Sequence, residues 1–205
     1  MPETTRASGS TLRDRHVKDD GSGLRLTFTG KSGKEHEVAI RDRRLARLVK
    51  QCQEIPGHEL FQYVDEDGAR QSIDSGEVNQ YLREISGEEF SAKDFRTWAG
   101  TVAASMALQD FLEVDDDAGR KKAIIAAIEE VAGQLGNTPA VCRACYVHPD
   151  VLDAYLDGTL VDALSARTRG AGRGAHALRH EEAAVLGLLQ ARLARQRRRR
   201  GRPAA

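Results

Sequence analysis

Cys142, Cys145 and His148 lie three residues apart within "GNTPAVCRACYVHP", residues 136–149, and their side chains are of the kind that bind zinc. A zinc site needs four such ligands in a tetrahedron, or three if it is catalytic. The chain has no second Cys-x-x-Cys or His pair to close one, and Cys52 stands alone. Cysteines at these positions read instead as small buried hydrophobes, and no partner base marks either as a nucleophile. Gly136–Pro139 lacks the glycine pattern of a phosphate-binding loop. The same stretch holds Tyr146, near Arg143 and shortly before Pro149. A second candidate lies in "AKDFRTWAG", where Lys93 and Arg96 are neighbours on one helix face. Ala99, Gly100 and Ala103 continue that face and are small, so a bulky backbone could approach beside a fixed guanidinium. The plainer reading of the same residues is an exposed arginine on an amphipathic helix.

The elements that must carry these groups follow from pattern. Thr138 before Pro139 is a helix start, a capping hydroxyl followed by proline at the first helical position. That helix carries Tyr146 and should stop before Pro149, because a residue preceding proline is pushed out of helical geometry. Upstream, "RKKAIIAAIEEVAGQL" has an apolar face ending at Gly136, a usual helix terminator. Ser91 opens the helix of "AKDFRTWAGTVAASMALQDFL", with Phe95, Trp98, Val102 and Met106 as its stripe. Nearer the start, Leu24, Leu26 and Phe28 alternate with polar residues, as do Val38 and Ile40, giving two half-buried strands. Gly30 and Gly33 supply the turn between them, with Lys31 at its tip. Leu45, Leu48, Val49 and Cys52 form one face of a helix beginning at Asp42. "LFQYV" and "DEDGARQSI" read as two short strands around an Asp-Gly turn, and Asp74 or Ser75 then caps a helix through Val78, Tyr81, Leu82 and Ile85. "DVLDAYLDG" is a short helix, "ARTRGAGRGAH" a glycine-rich link and "EEAAVLGLLQARLARQ" a final amphipathic helix. The fold class is α+β, mainly α, with a small N-terminal β portion.

Composition narrows the setting. The chain has 205 residues, 40% hydrophobic and 30% charged, enough for a core of ordinary domain size. No apolar run approaches a membrane span, and the N-terminus lacks a signal peptide's apolar stretch. Three cysteines argue for a reducing compartment, with the cytoplasm as expected location. Net charge is zero, yet bases gather in "RDRRLARLVK" (41–50) and "ARQRRRRGRP" (194–203). The second run is open between a solvated tail and a surface for a phosphate backbone.

Four blocks, in order and spacing, resemble one family: "TLRDRHV" (11–17), "FTGKSGKEHEV" (28–38), "KDFRTWAGT" (93–101) and "LGNTPAVCRACYVHPDVLDAY" (135–155). They are similar to the type IB DNA topoisomerases of the small branch found in bacteria and some large DNA viruses. The resemblance covers roughly residues 11–160 and implies a helical catalytic domain, placed over 11–194, while composition marks a disordered stub (1–10) and a basic disordered tail (195–205). It implies that Tyr146 attacks a DNA phosphodiester, forming a 3′-phosphotyrosyl link and releasing a 5′-hydroxyl. Arg96 would hold the nonbridging oxygens, and Lys31 would be general acid for the departing 5′-oxygen. Asn137 stands where other members carry histidine as a further phosphate donor. Arg13, Arg15, Lys93 and Arg143 would contact DNA.

The chemistry suits those residue types. A phenol is a weak nucleophile near neutral pH, and nearby cations favour its ionised form. A guanidinium meets charge on phosphoryl oxygens with two parallel hydrogen bonds, and a lysine can shed a proton where an arginine cannot. The resemblance implies double-stranded DNA as partner and a monomer acting without metal, other cofactor or ATP. Tyrosine recombinases share the domain but usually show His-x-x-Arg where Lys93-x-x-Arg96 stands, and histidine or tryptophan at Asn137. The family's first catalytic arginine and N-terminal lobe precede "TLRDRHV", and Arg13 and Arg15 do not match that arginine. The expectation is therefore a catalytic domain lacking both. The alternatives are a weakened DNA-binding module needing a separate lobe, and a recombinase-like strand transferase.

Overall fold

The computed structural model describes residues 12–21, 23–30, 33, 35–114, 116–166 and 178–200. The chain divides into two compact units, one reaching Ala92 and one beginning at Lys93, where the sequence suggests one continuous catalytic domain.

The first unit is built on an antiparallel sheet of β1 (Val17–Asp19), β2 (Leu24–Thr29) and β3 (Glu35–Ile40), in that order. Leu24 and Leu26 of the central strand are buried beside Leu12, Val17 and Leu60, and Phe28 packs against them, as the alternation requires. Val38, expected inside, pairs with Leu26 but is 47% exposed, because β3 is an edge strand. Gly33 takes a positive φ of 72° and its N–H donates to the Gly30 carbonyl, closing the β2–β3 connection. Gly30 also leaves room for the His36 ring, which stacks on Phe28 with centroids 5.3 Å apart. Lys31 lies outside the described residues.

Helix α1 (Arg43–Glu54) begins at Asp42, whose side chain accepts from the N–H groups of Arg44 and Leu45. It buries Ala46 and Val49, whereas Leu45 and Leu48, expected on its inner face, are about half exposed (53% and 49%). The helix rests on the sheet through its small and β-branched side chains. Strands β4 (Gln62–Val64) and β5 (Arg70–Ser72) pair around an Asp-Gly turn, and Asp74 caps α2 (Ser75–Ser86) in a reciprocal box with Glu77.

The second unit is helical. Its core gathers residues of α3 (Ala92–Ala107), α4 (Asp117–Leu135), α5 (Pro139–Cys145), α6 (Pro149–Leu156), α7 (Thr159–Ala166) and α8 (His180–Arg200). A 3₁₀ turn over Leu108–Phe111 follows α3. The inner face of α3 differs from the expected stripe. Gly100, Thr101, Ala104, Ser105 and Ala107 are buried, Trp98, Val102 and Met106 are partly covered, and Phe95 is exposed. Two hydroxyls tolerate this burial because they bond their own helix: Thr101 Oγ1 donates to the Thr97 carbonyl (2.7 Å) and Ser105 Oγ to that of Thr101 (2.9 Å).

Helix α7 has no counterpart in the sequence reading. Asp157, just past α6, accepts from the Thr159 N–H at 3.1 Å, and Leu160 and Leu164 are buried. Helix α8 runs to Arg200, so residues 195–200 are helical rather than a disordered tail. The glycine-rich link lies mostly outside the described residues.

Candidate active site

Helix α4 ends at Gly136, which adopts the left-handed conformation (φ 66°) that glycine allows. Its N–H donates to the Gly133 carbonyl (3.2 Å), and the Asn137 N–H to that of Ala132 (2.9 Å). The Leu135 carbonyl, left over by this cap, is taken by two side chains. Arg96 Nη2 donates to it at 2.8 Å and Asn137 Nδ2 at 3.0 Å. A cation here also meets the negative end of the α4 dipole. Arg96 and Asn137 are far apart in sequence and converge on one oxygen.

The Arg96 guanidinium lies over the Tyr146 ring, its central carbon 4.9 Å from the ring centroid. Such a contact contributes about 0.5–1 kcal/mol at an exposed site, and both residues reach solvent. Tyr146 is not within a helix. Helix α5 stops at Cys145, and Tyr146 caps it with φ −126° and ψ −4°, its N–H donating to the Cys142 carbonyl (2.9 Å). The proline rule acts at His148, which is extended and caps α6 ahead of Pro149, its Nδ1 accepting from the Asp150 N–H. Two helix ends thus meet over 145–148, and Tyr146 sits in the irregular turn between them.

Helix α3 holds that turn from behind. Thr97 Oγ1 donates to the Cys145 carbonyl (3.2 Å), and Thr101 Oγ1 accepts from the His148 N–H (3.1 Å). Between them the Tyr146 backbone lies against Gly100, where a Cβ would stand 2.5 Å from the Tyr146 carbonyl oxygen. Sequence reasoning missed Thr97, Thr101 and the Leu135 carbonyl. It noticed the small face at Gly100 but read it as room for a foreign backbone, and the backbone that enters is the chain's own.

Lys93 and Arg143 are exposed, one on α3 and one on α5. Arg15 is exposed in the first unit, and Arg13 is half-buried there, its backbone bridging to Glu59 and its N–H donating to His16 Nδ1. Burial, then Arg15 and Arg13, hold the His16 imidazole below its usual pKa. The cysteines separate: Cys142 is fully buried in the core with its thiol pKa pushed up by burial, while Cys145, expected to pack, is exposed. Among the described residues no three His, Cys, Asp or Glu side chains gather as metal ligands. Among them too, no helix is long and apolar enough to cross a membrane.

Comparison with known proteins gives this geometry a family. Residues 3–163 match the family model "Eukaryotic DNA topoisomerase I, catalytic core". The chain is 34% identical over 153 residues to "DNA topoisomerase 1B" of Acanthamoeba polyphaga mimivirus, an alignment covering 71% of this chain and 46% of that protein. The chain belongs to the type IB DNA topoisomerase family and carries its catalytic domain. It spans about half the length of the curated relative.

Proposed function

We propose that this chain cleaves and reseals one strand of duplex DNA and thereby relaxes supercoils, with Tyr146 as nucleophile. The observation that carries the reading is the Arg96 guanidinium, fixed over the Tyr146 ring and tethered by Nη2 to the Leu135 carbonyl. One edge of the guanidinium is held by protein, and in this reading the others donate to the phosphate beside Tyr146. Donors fixed before the reaction need no reorganisation as charge develops on the phosphoryl oxygens.

In the step itself the bond from Tyr146 Oη to phosphorus forms as the bond from phosphorus to the 5′-oxygen breaks. The phenolic proton is lost, and Lys31 delivers one to the departing 5′-oxygen. The second N–H of Asn137 Nδ2 donates to a nonbridging oxygen while the first stays on Leu135. One phosphodiester is exchanged for another, so the covalent link conserves the bond energy and resealing needs no ATP. Arginine charge supplies the neutralisation in this reading, without a metal ion. Lys93, Arg143, Arg13 and Arg15 contact the flanking backbone.

The test is a duplex whose scissile strand has only a short piece 3′ of the cleaved bond, so that this 5′-hydroxyl fragment dissociates after cleavage, with covalent adduct read on a denaturing gel. The natural chain should form adduct, and Tyr146→Phe should bind the duplex equally and form none. Adduct persisting in that variant would place the nucleophile elsewhere. Binding by the natural chain with no adduct at all would make the protein a DNA-binding module.

A further inference from the structure

The arginine run that ends α8 has no part in the chemistry above and lies beyond the residues that match the family model, 3–163. Helix α8 is firmly seated along its first half, with Ala184, Val185 and Leu188 in the core. Arg192 marks the end of that seat, its Nη1 donating to Asp157 at 2.7 Å and its Nε lying 3.8 Å from Asp150. One turn on, Gln196 Nε2 donates to Asp150 at 3.3 Å. Asp150 stands in the first turn of α6, whose cap, His148, follows Tyr146 closely in the chain. These contacts bring the last turns of α8 to the side of the segment that carries Tyr146.

What they bring is unbalanced charge. Arg195, Arg197 and Arg198 are exposed, and among the described residues none has a carboxylate partner, whereas Arg179 and Arg192 each do. No Asp or Glu follows Glu182 in the chain, so the helix is acidic where it begins and basic where it ends. The α8 dipole favours cations in its last turn, which accounts for part of this pattern. It does not account for Arg195, which precedes that turn, nor for so many like charges placed side by side, which repel. A polyanion laid along them relieves that repulsion.

We propose that the arginine end of α8 is a second grip on DNA, binding the phosphate backbone of the duplex alongside the cleavage site without reading sequence. The proposal rests on the reading of Tyr146 as a DNA-cleaving residue. Its chemistry is counterion release: each phosphate neutralised lowers the slope of log affinity against log salt by about 0.9.

The experiment measures duplex binding by fluorescence anisotropy from about 50 to about 200 mM salt. It compares the full chain with a variant carrying Arg195→Gln, Arg197→Gln and Arg198→Gln together. The variant should bind roughly tenfold or more weakly on every duplex sequence, with a salt slope shallower by about 2 to 3. Replacing the same arginines by lysine should restore the slope, since a phosphate grip needs charge. If the glutamine variant loses helix content by circular dichroism, the single changes Arg197→Gln and Arg198→Gln should each make the slope shallower by about 1. A natural chain that binds DNA, with affinity and slope unchanged in these variants, overturns the second grip alone. A natural chain that binds no duplex overturns the cleavage reading and this proposal together.

Discussion

Helices α2 and α3 follow one another in the chain and read alike as amphipathic segments, yet they are used in opposite ways. Helix α2 has the better ends: Asp74 and Glu77 cap each other's N–H groups, and Gly87 closes it in the left-handed conformation. None of its residues is buried, and Tyr81 and Ile85 are about 60% exposed (60% and 62%). Helix α3 buries Gly100, Thr101 and Ser105, which give little apolar burial, and it holds the Tyr146 turn through Gly100 and the hydroxyls of Thr97 and Thr101. Strong local signals fix where a helix starts and stops. The inward face is fixed by what packs against it, and in α3 that is the turn carrying Tyr146.

Arg96→Ala should have the largest effect of the changes that separate the two helices. Loss of a single donor at a developing oxyanion costs about 10²–10³-fold in rate, so single-turnover cleavage should fall by that much with affinity little changed. A tenfold loss or less would make Arg96 a structural residue and α3 an ordinary core helix.

Next come the residues that hold the turn. Thr101→Val leaves the His148 N–H without its acceptor, and Gly100→Ala pushes on the Tyr146 carbonyl. Alanine is the better helix former by about 1 kcal/mol, so Gly100→Ala can keep the helix while displacing Tyr146. Each change should slow cleavage about tenfold or more, equivalent to about 1.4 kcal/mol, with DNA affinity retained. Thr101→Ser should recover most of the rate. Equal losses in the serine and valine variants would point to packing rather than the hydrogen bond.

On α2 the expectation reverses. Asp74→Ala should cost about 1 kcal/mol of stability through the lost cap, whereas Ile85→Ser should stay within about 0.5 kcal/mol. Denaturant midpoints decide this, and a larger loss at Ile85 would show that the α2 face is covered in solution.

The smallest effect is in acid. Glu182 ties α8 to α3 by accepting from Trp98 Nε1 (3.4 Å). The Arg179 N–H, against some burial and with help from Trp98, holds its carboxyl below the ordinary 4.5. At Asp157 burial acts upward, but hydrogen bonds from Thr159 and Arg192 outweigh it and keep the carboxyl below 3.8. Depressed carboxylates contribute stability that is present above their unfolded values and lost as pH falls through their folded ones. Fluorescence of Trp98, the chain's single tryptophan, should therefore change below about pH 4.5. Glu182→Gln should remove that step, and a step that persists would assign it to another group.

The parts of the molecule legible in advance were those written in local chemistry. Thr138–Pro139, Asp42, Asp74 and Gly136 mark their helix ends because a cap is a short-range hydrogen bond or a backbone angle. Alternation placed β2 correctly because a central strand is covered on its neighbours' account as well as its own. It misplaced Val38, because an edge position is a property of the sheet. Leu45 and Leu48 misled for a related reason: hydrophobicity ranks them above Ala46, and only the distance between α1 and the sheet favours the smaller residue. The meeting of Arg96, Asn137 and Tyr146 could be reached only through family resemblance, since nothing local in "LGNTP" says that a side chain from α3 shares the Leu135 carbonyl with Asn137.

The carbonyl at Leu135 makes α4 a ruler. Its 19 residues form one uninterrupted helix, about 1.5 Å per residue, from the Asp116 cap to the oxygen that anchors Arg96 and Asn137. Adding or removing one residue anywhere along it would turn its far end by about 100° and carry that oxygen away from both side chains. The stretch ahead of the Asp116 cap, from residue 112 to 114, could change length with no such consequence. Related chains with working sites should therefore keep the spacing from the α4 cap to Gly136 and let insertions and deletions accumulate just ahead of it.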